Sequence, residues 1–130
     1  MNSPSIDVRD ILVAAGLGLV FGTNLFIGQE PTSPDNCVTI FDTPGYPPQL
    51  TLDPDEKYDY PSIQIRVRNR SYEEAYDLIS DIKTELHGLN HDEWNGTTYE
   101  LIRCAQEPFP LGYDEGNRSW WVANFDIQRH

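Results

Sequence analysis

Residues Tyr60 to Gly88 read YPSIQIRVRNRSYEEAYDLISDIKTELHG, and here a period of two gives way to a period of 3.6 without a linker. Ile63, Ile65 and Val67 alternate with Gln64, Arg66 and Arg68, the pattern of a strand with one buried face. Ser71 stands three residues before Glu74, the spacing at which hydroxyl and carboxylate satisfy each other's free backbone amides at a helix start. From Tyr72 onward, Ala75, Leu78, Ile79, Ile82 and Leu86 fall on one helical stripe, and Gly88 supplies a left-handed stop. A strand that runs directly into an amphipathic helix predicts a helix lying across a sheet.

Toward the N-terminus, Ser3-Pro4 reads as a helix entry, with serine as the cap and proline at the first helical position. Val8, Ile11, Leu12 and Ala15 continue that helix until Gly16 or Gly18. Leu19 to Gln29 is rich in Val, Phe, Leu and Ile and predicts one strand, or two short ones meeting at a bend. Pro31, Pro34, Asp35 and Asn36 then predict a turn, with Cys37–Thr43 as the return strand of a hairpin. Between Pro44 and Tyr60, four prolines and the acids Asp53, Asp55, Glu56 and Asp59 predict a long exposed loop, a candidate contact surface for another subunit.

Toward the C-terminus, Asn95-Gly96 has the sequence of a tight hairpin turn, followed by a strand over Thr98–Ala105. Pro108, Pro110, Gly112, Asp114, Gly116 and Asn117 form a turn cluster, after which Trp121, Ala123, Phe125 and Ile127 alternate in a last strand, Ser119–Gln128. The order predicts an α+β fold: a mostly antiparallel sheet with two main helices packed on one side, in a single domain spanning residues 1–130.

With 9 basic against 21 acidic residues the formal charge is −12, which argues against a phosphate-binding surface and so against non-specific affinity for DNA. The longest apolar tract, Ile11–Phe21, falls short of the ~20 residues that cross a bilayer. No secretory leader is evident either, so synthesis and residence in the cytoplasm are expected. Cys37 and Cys104 sit in strand-like runs and read as two buried thiols.

Chemistry is sparse. Gly16, Gly18 and Gly22 are spaced GxGxxxG after a helix, not GxGxxG after a strand, and no Walker lysine is present. Neither cysteine has a neighbouring histidine and no serine sits in a nucleophile elbow. His87 and His91, beside Asp92 and Glu93, offer zinc-ligand types, but Gly88 interrupts a shared helical face and the plain reading is a polar helix exit. The acidic loop lacks the EF-hand pattern. No catalytic residue, cofactor or metal is therefore assigned. Arg66, Arg68 and Arg70 stand out as three of the nine basic residues, on one face by strand geometry. They read either as a solvated sheet face or as a stripe that meets acidic surface on a neighbouring copy or partner. Aromatic residues, Trp120 among them, suit interface anchors. The candidate interface set is Arg66, Arg68, Arg70, Asp53, Asp55, Asp59 and Trp120.

The ordered stretches NLFIGQEP and PDNCVTIFDTPGYPP, the central Tyr60–Gly88 segment, and EPFPLGYDEGNRSWWVANFDI resemble the tail terminator, or tail completion, proteins of long-tailed bacteriophages, often labelled minor capsid proteins. The resemblance spans nearly the whole chain. It implies an α+β subunit assembled as a ring, typically a hexamer, at the head–tail junction of the virion. Such a ring caps the tail tube, stops tail polymerisation and docks the head. The implied partners are further copies of the chain, the tail tube protein and head–tail connector proteins, with viral DNA passing through unbound. The competing expectations are a connector or adaptor at another ring position, a small metal-dependent hydrolase using the His87–Glu93 cluster, and a host adaptor that binds a peptide on a sheet edge.

Overall fold

A computed structural model describes residues 1–49 and 58–130. The fold is α+β. Helix α1 spans Pro4–Ala14, followed by strands β1 (Leu25–Ile27), β2 (Cys37–Gln49) and β3 (Tyr58–Asn69). Helix α2 (Tyr72–Leu86) leads to β4 (Asn90–Trp94), β5 (Thr97–Cys104), β6 (Phe109–Tyr113) and β7 (Ser119–Arg129).

The sheet has seven strands in the order β1-β2-β3-β7-β5-β4, with β6 attached to β7. Every pairing is antiparallel except β1 with β2. Strand β3 occupies one edge of β7 from Ser119 to Arg129, so β6 and β5 share the other, β6 beside Ser119–Val122 and β5 beside Phe125–Arg129.

The segment that decides the fold behaves as its pattern requires. Ile63, Ile65 and Val67 are fully buried, and on the facing helix Ala75, Ile79, Ile82 and Leu86 are too. Each Ile or Leu removed from water in this way contributes about 1.5–3 kcal/mol. Val8, Ile11 and Leu12 of α1 join the same core, so both helices lie on one face of the sheet. The backbone amide of Glu74 donates to Ser71 Oγ at 3.2 Å, one half of the expected cap. The other half comes from the neighbouring strand end, where Asn69 Oδ1 accepts from the Ser71 amide at 2.8 Å. At α1, Pro4 takes its place in the first turn but the Ser3 side chain makes no cap bond.

Five local expectations need correction. The apolar run Leu19–Gln29 yields a strand over Leu25–Ile27 alone, because Gly18, Gly22 and Gly28 adopt left-handed backbone and Asn24 ties off the preceding turn through Val20 N and Gly18 O. That strand pairs with β2 in parallel, not as a hairpin: residues 28–36 carry the chain back to the end from which β1 started. The stretch from Pro44 is not an open loop where it is described. Strand β2 continues to Gln49 opposite β3, with register shifts between Thr43 and Tyr46 and between Tyr46 and Gln49, irregularities that accommodate Pro44, Pro47 and Pro48. Finally, the proline-rich turn cluster contains β6, and the helix exit holding His91 is strand β4, closed onto β5 by Asn95 and Gly96 with φ of 53° and 79°.

Candidate functional site

The face of the sheet turned away from the helices carries Thr39 and Phe41 from β2, Gln64, Arg66 and Arg68 from β3, and Trp120, Val122 and Asn124 from β7, in register across the three strands. Its two strand arginines meet opposite fates. Arg68 is 3% exposed. Its guanidinium pairs with Glu30 Oε1 at 3.1 Å and donates to the carbonyls of Asp35 at 3.1 Å and Pro34 at 2.6 Å. The same Glu30 oxygen accepts from Trp120 Nε1 at 3.1 Å. Arg118 holds the other side of the 28–36 connection through the Thr32 carbonyl at 2.6 Å and is itself paired with Asp114 at 2.7 Å. These contacts are what let a short irregular segment return the chain for a parallel pairing.

Arg66 lies on that face with its guanidinium carbon 5.3 Å from the Phe41 ring centre and 5.5 Å from that of Trp120, between two aromatic faces that attract a cation. Among the described residues its buried Nε has no partner, and the guanidinium's one hydrogen bond is a long one of 3.4 Å to Gln64 Oε1. Beside it Gln64 Nε2 donates to Asn124 Oδ1 at 3.1 Å and Ser62 Oγ to Asp126 Oδ1 at 3.0 Å, so the flanking polar groups are already engaged. Arg70 lies beyond the end of β3, exposed, and pairs with Asp35 at 2.6 Å. That bond is the chief reason the Asp35 carboxyl is held below its ordinary range.

The three arginines read together as one stripe are thus one clamped in the structure, one at a loop corner and one held between rings. Trp120 belongs to the clamp through its indole N–H and to the Arg66 sandwich through its ring. Asp59 is half-buried on β3, in register with Arg129. Asp53 and Asp55 lie outside the described residues.

On the opposite side of the molecule α2 presents Glu73, Asp77, Asp81 and Glu85, all exposed and spaced four apart. None of them forms an ion pair among the described residues. Tyr72 and Tyr76 flank this ladder and pack edge-on against Trp121, with ring centres 5.2 and 4.9 Å away. The ladder was legible in the sequence as acids at i, i+4 intervals, but the reading of α2 followed its apolar stripe instead.

The residues weighed for catalysis do not converge. Among the described residues no group of three or more His, Cys, Asp or Glu could hold a metal ion. His87 Nδ1 accepts from the Cys104 amide at 2.9 Å, while His91 pairs with Glu100 at 2.8 Å. Cys37 and Cys104 are both free thiols, the first buried and the second half-buried, and burial raises the pKa of each, the reverse of nucleophile activation. Gly16, Gly18 and Gly22 serve as left-handed turn positions. Among the described residues no helix is long and apolar enough to cross a membrane.

A chain in the solved structure of a native gene transfer agent virion superposes with a TM-score of 0.68, covering 98% of this chain and 94% of that one. At 12% identity the likeness is one of fold. No curated protein sequence matches the chain. The sequence profile of bacteriophage tail terminator proteins matches residues 12–130, nearly the full length. The chain belongs to the bacteriophage tail terminator protein family, whose members are structural components of the virion.

Proposed function

We propose that copies of this chain close into a ring, a hexamer, that caps the tail tube at the head–tail junction, ends tail polymerisation and docks the capsid connector. The family match across residues 12–130 carries this reading. Two features of the subunit suit it. Its helix face and its helix-free sheet face are unlike each other, as head-to-tail contacts in a closed ring require. The β2–β3 ribbon also extends exposed side chains, Tyr46 at 67% among them, from the edge of the domain. Growth stops in this mechanism because the tube-facing side repeats the contact made between stacked tube subunits and the other side lacks it. No bond in a substrate is made or broken.

The interface is assigned to the face bearing Arg66 and Trp120, the corner at Arg70, Asp59 on the β2–β3 ribbon, and Asp53 and Asp55, which lie outside the described residues, with Arg68 as the residue that fixes the face. A formal charge of −12 per subunit gives the ring a surface that repels DNA, so the genome passes without binding. Electron microscopy of purified protein mixed with tail tubes tests the proposal. Rings seated on tube ends are expected. Particles lacking this chain that still carry normal-length tails joined to filled heads would overturn it.

A further inference from the structure

Arg66 is the one arginine without a carboxylate partner among the described residues. Arg9, Arg68, Arg70, Arg103, Arg118 and Arg129 each have an Asp or Glu oxygen within 4.0 Å. In a chain with 21 acidic residues a guanidinium with no carboxylate partner among the described residues is the exception. The residue is half-buried, and its buried Nε, with no acceptor among the described residues, has given up hydration without a hydrogen bond in return. The rings of Phe41 and Trp120 fix the guanidinium in place, and a fixed planar fork loses little further freedom when it grips a carboxylate.

The acidic ladder of α2 shows the complementary imbalance. Like charges at i, i+4 spacing each destabilise a helix by about 0.2–0.5 kcal/mol. Glu73, Asp77, Asp81 and Glu85 place such neighbours along three successive turns, and Lys83, the basic residue of the last turn, is committed to Glu107 at 2.8 Å. Among the described residues, a cation without an ion-pair partner therefore lies on one face of the sheet, and exposed anions without one lie on the helix packed against the other. They cannot meet within one subunit. They can meet between two.

We infer that Arg66 is the receptor for a carboxylate of the α2 ladder, Glu73–Asp77–Asp81–Glu85, of a second copy of this chain. This rests on the self-association proposed above and names its contact. Because the two patches lie on opposite faces, each subunit offers one to each neighbour, and the contact repeats head to tail.

Charge exchange tests it. Sedimentation velocity is run on the wild type, on Arg66→Glu, on Asp77→Lys/Asp81→Lys, and on an equimolar mixture of the two variants, with circular dichroism reporting the fold of each. The expected result is a wild-type ring, each variant alone weakened in assembly by about tenfold or more, and recovery in the mixture. Recovery follows because the carboxylate that Arg66→Glu introduces then faces the lysines of the other variant while the remaining contacts stay native. Should Arg66→Glu not fold, Arg66→Gln with the same tenfold criterion replaces it, and the exposed α2 variant stands independently. A wild-type ring with either variant assembling normally, or a mixture that stays dissociated, overturns this contact alone. A wild-type chain that is monomeric at every concentration overturns the ring and the contact with it.

Discussion

Tyr99 on β5 donates its hydroxyl to the carboxylate of Asp7 on α1, a partner 92 positions away, and both residues are fully buried. Asn95 Nδ2, at the tip of the β4–β5 hairpin, donates to the other Asp7 oxygen at 2.7 Å, and the Arg129 guanidinium of β7 lies 4.0 Å from the carboxylate. One buried carboxylate thereby anchors α1 to both strands at the C-terminal end of the sheet. A hydrogen bond to a charged group contributes about 1.5–3 kcal/mol, so Tyr99→Phe should lower unfolding stability by that amount in urea titration. Burial first, and the Asp7 carboxylate second, push the Tyr99 hydroxyl well above its ordinary value of 10.0. A raised phenol contributes stability that is complete below pH 10 and lost as pH rises toward the folded value, and Tyr99→Phe should remove that alkaline component.

Arg68 and Arg66 are two residues apart on one strand face and should respond very unequally to substitution. Removing one partner of a buried ion pair costs about 3–5 kcal/mol, so Arg68→Ala should strip the 28–36 connection from the sheet and sharply lower the denaturation midpoint. Arg66→Gln removes two cation–ring contacts and should cost only about 1 kcal/mol. Equilibrium urea unfolding of the two variants side by side checks the contrast. It also shows why exchanging Arg66, Arg68 and Arg70 together cannot separate assembly from folding.

What the sequence disclosed divides along local and long-range lines. The alternation at Ile63–Val67, the hydroxyl half of the Ser71 cap, the stripe to Leu86 and the Asn95-Gly96 turn each depend on neighbours within a few residues, and each formed. The parallel pairing of β1 depends on Arg68 and Arg118 reaching carbonyls more than thirty positions away, which no periodicity encodes. The partners of the candidate interface residues are hidden from sequence for the same reason. Alternation placed Arg66 and Arg68 on one face correctly, but only the fold shows that Glu30 satisfies one while no carboxylate among the described residues satisfies the other. An acid in a first helical turn, such as Asp7, is favourable by its position alone, so nothing local in the sequence marks its carboxylate as buried.

The β4–β5 hairpin should carry a pH signature centred on Glu100. His91 Nδ1 lies 2.8 Å from one carboxylate oxygen and His130 Nε2 2.6 Å from the other. The hydrogen bond to Glu100, then its charge, raises His91 above 6.5, while the bonds from His91 and then His130 lower Glu100 below 4.5. The raised histidine contributes stability that is full below pH 6.5 and lost as pH rises through its folded value. The lowered carboxylate contributes stability that is full above pH 4.5 and lost as pH falls. Both contributions coexist between pH 4.5 and 6.5. Glu100→Gln should bring the His91 titration midpoint, followed by NMR of the imidazole, down toward 6.5. An unmoved midpoint would contradict the pairing.

Gly45 offers a way to disturb the β2–β3 ribbon without touching the core. A β-carbon built there would stand 2.1 Å from the Tyr60 carbonyl oxygen and 2.8 Å from Pro61 Cα. Both obstacles are backbone, so Gly45→Ala must push the two strands apart at the irregular pairing near Tyr46 and Tyr60. Ile63 and Ile65, farther along β3, are held by the core and by β7, and should keep their places. Hydrogen exchange should then show lost protection near Tyr46 and Tyr60 with protection retained from Ile63 onward. If the ribbon contributes to the ring, the same variant should sediment as smaller species while its core stays folded. A variant with an opened ribbon that still forms full rings would remove the ribbon from the interface and leave the sheet face bearing Arg66 to hold it.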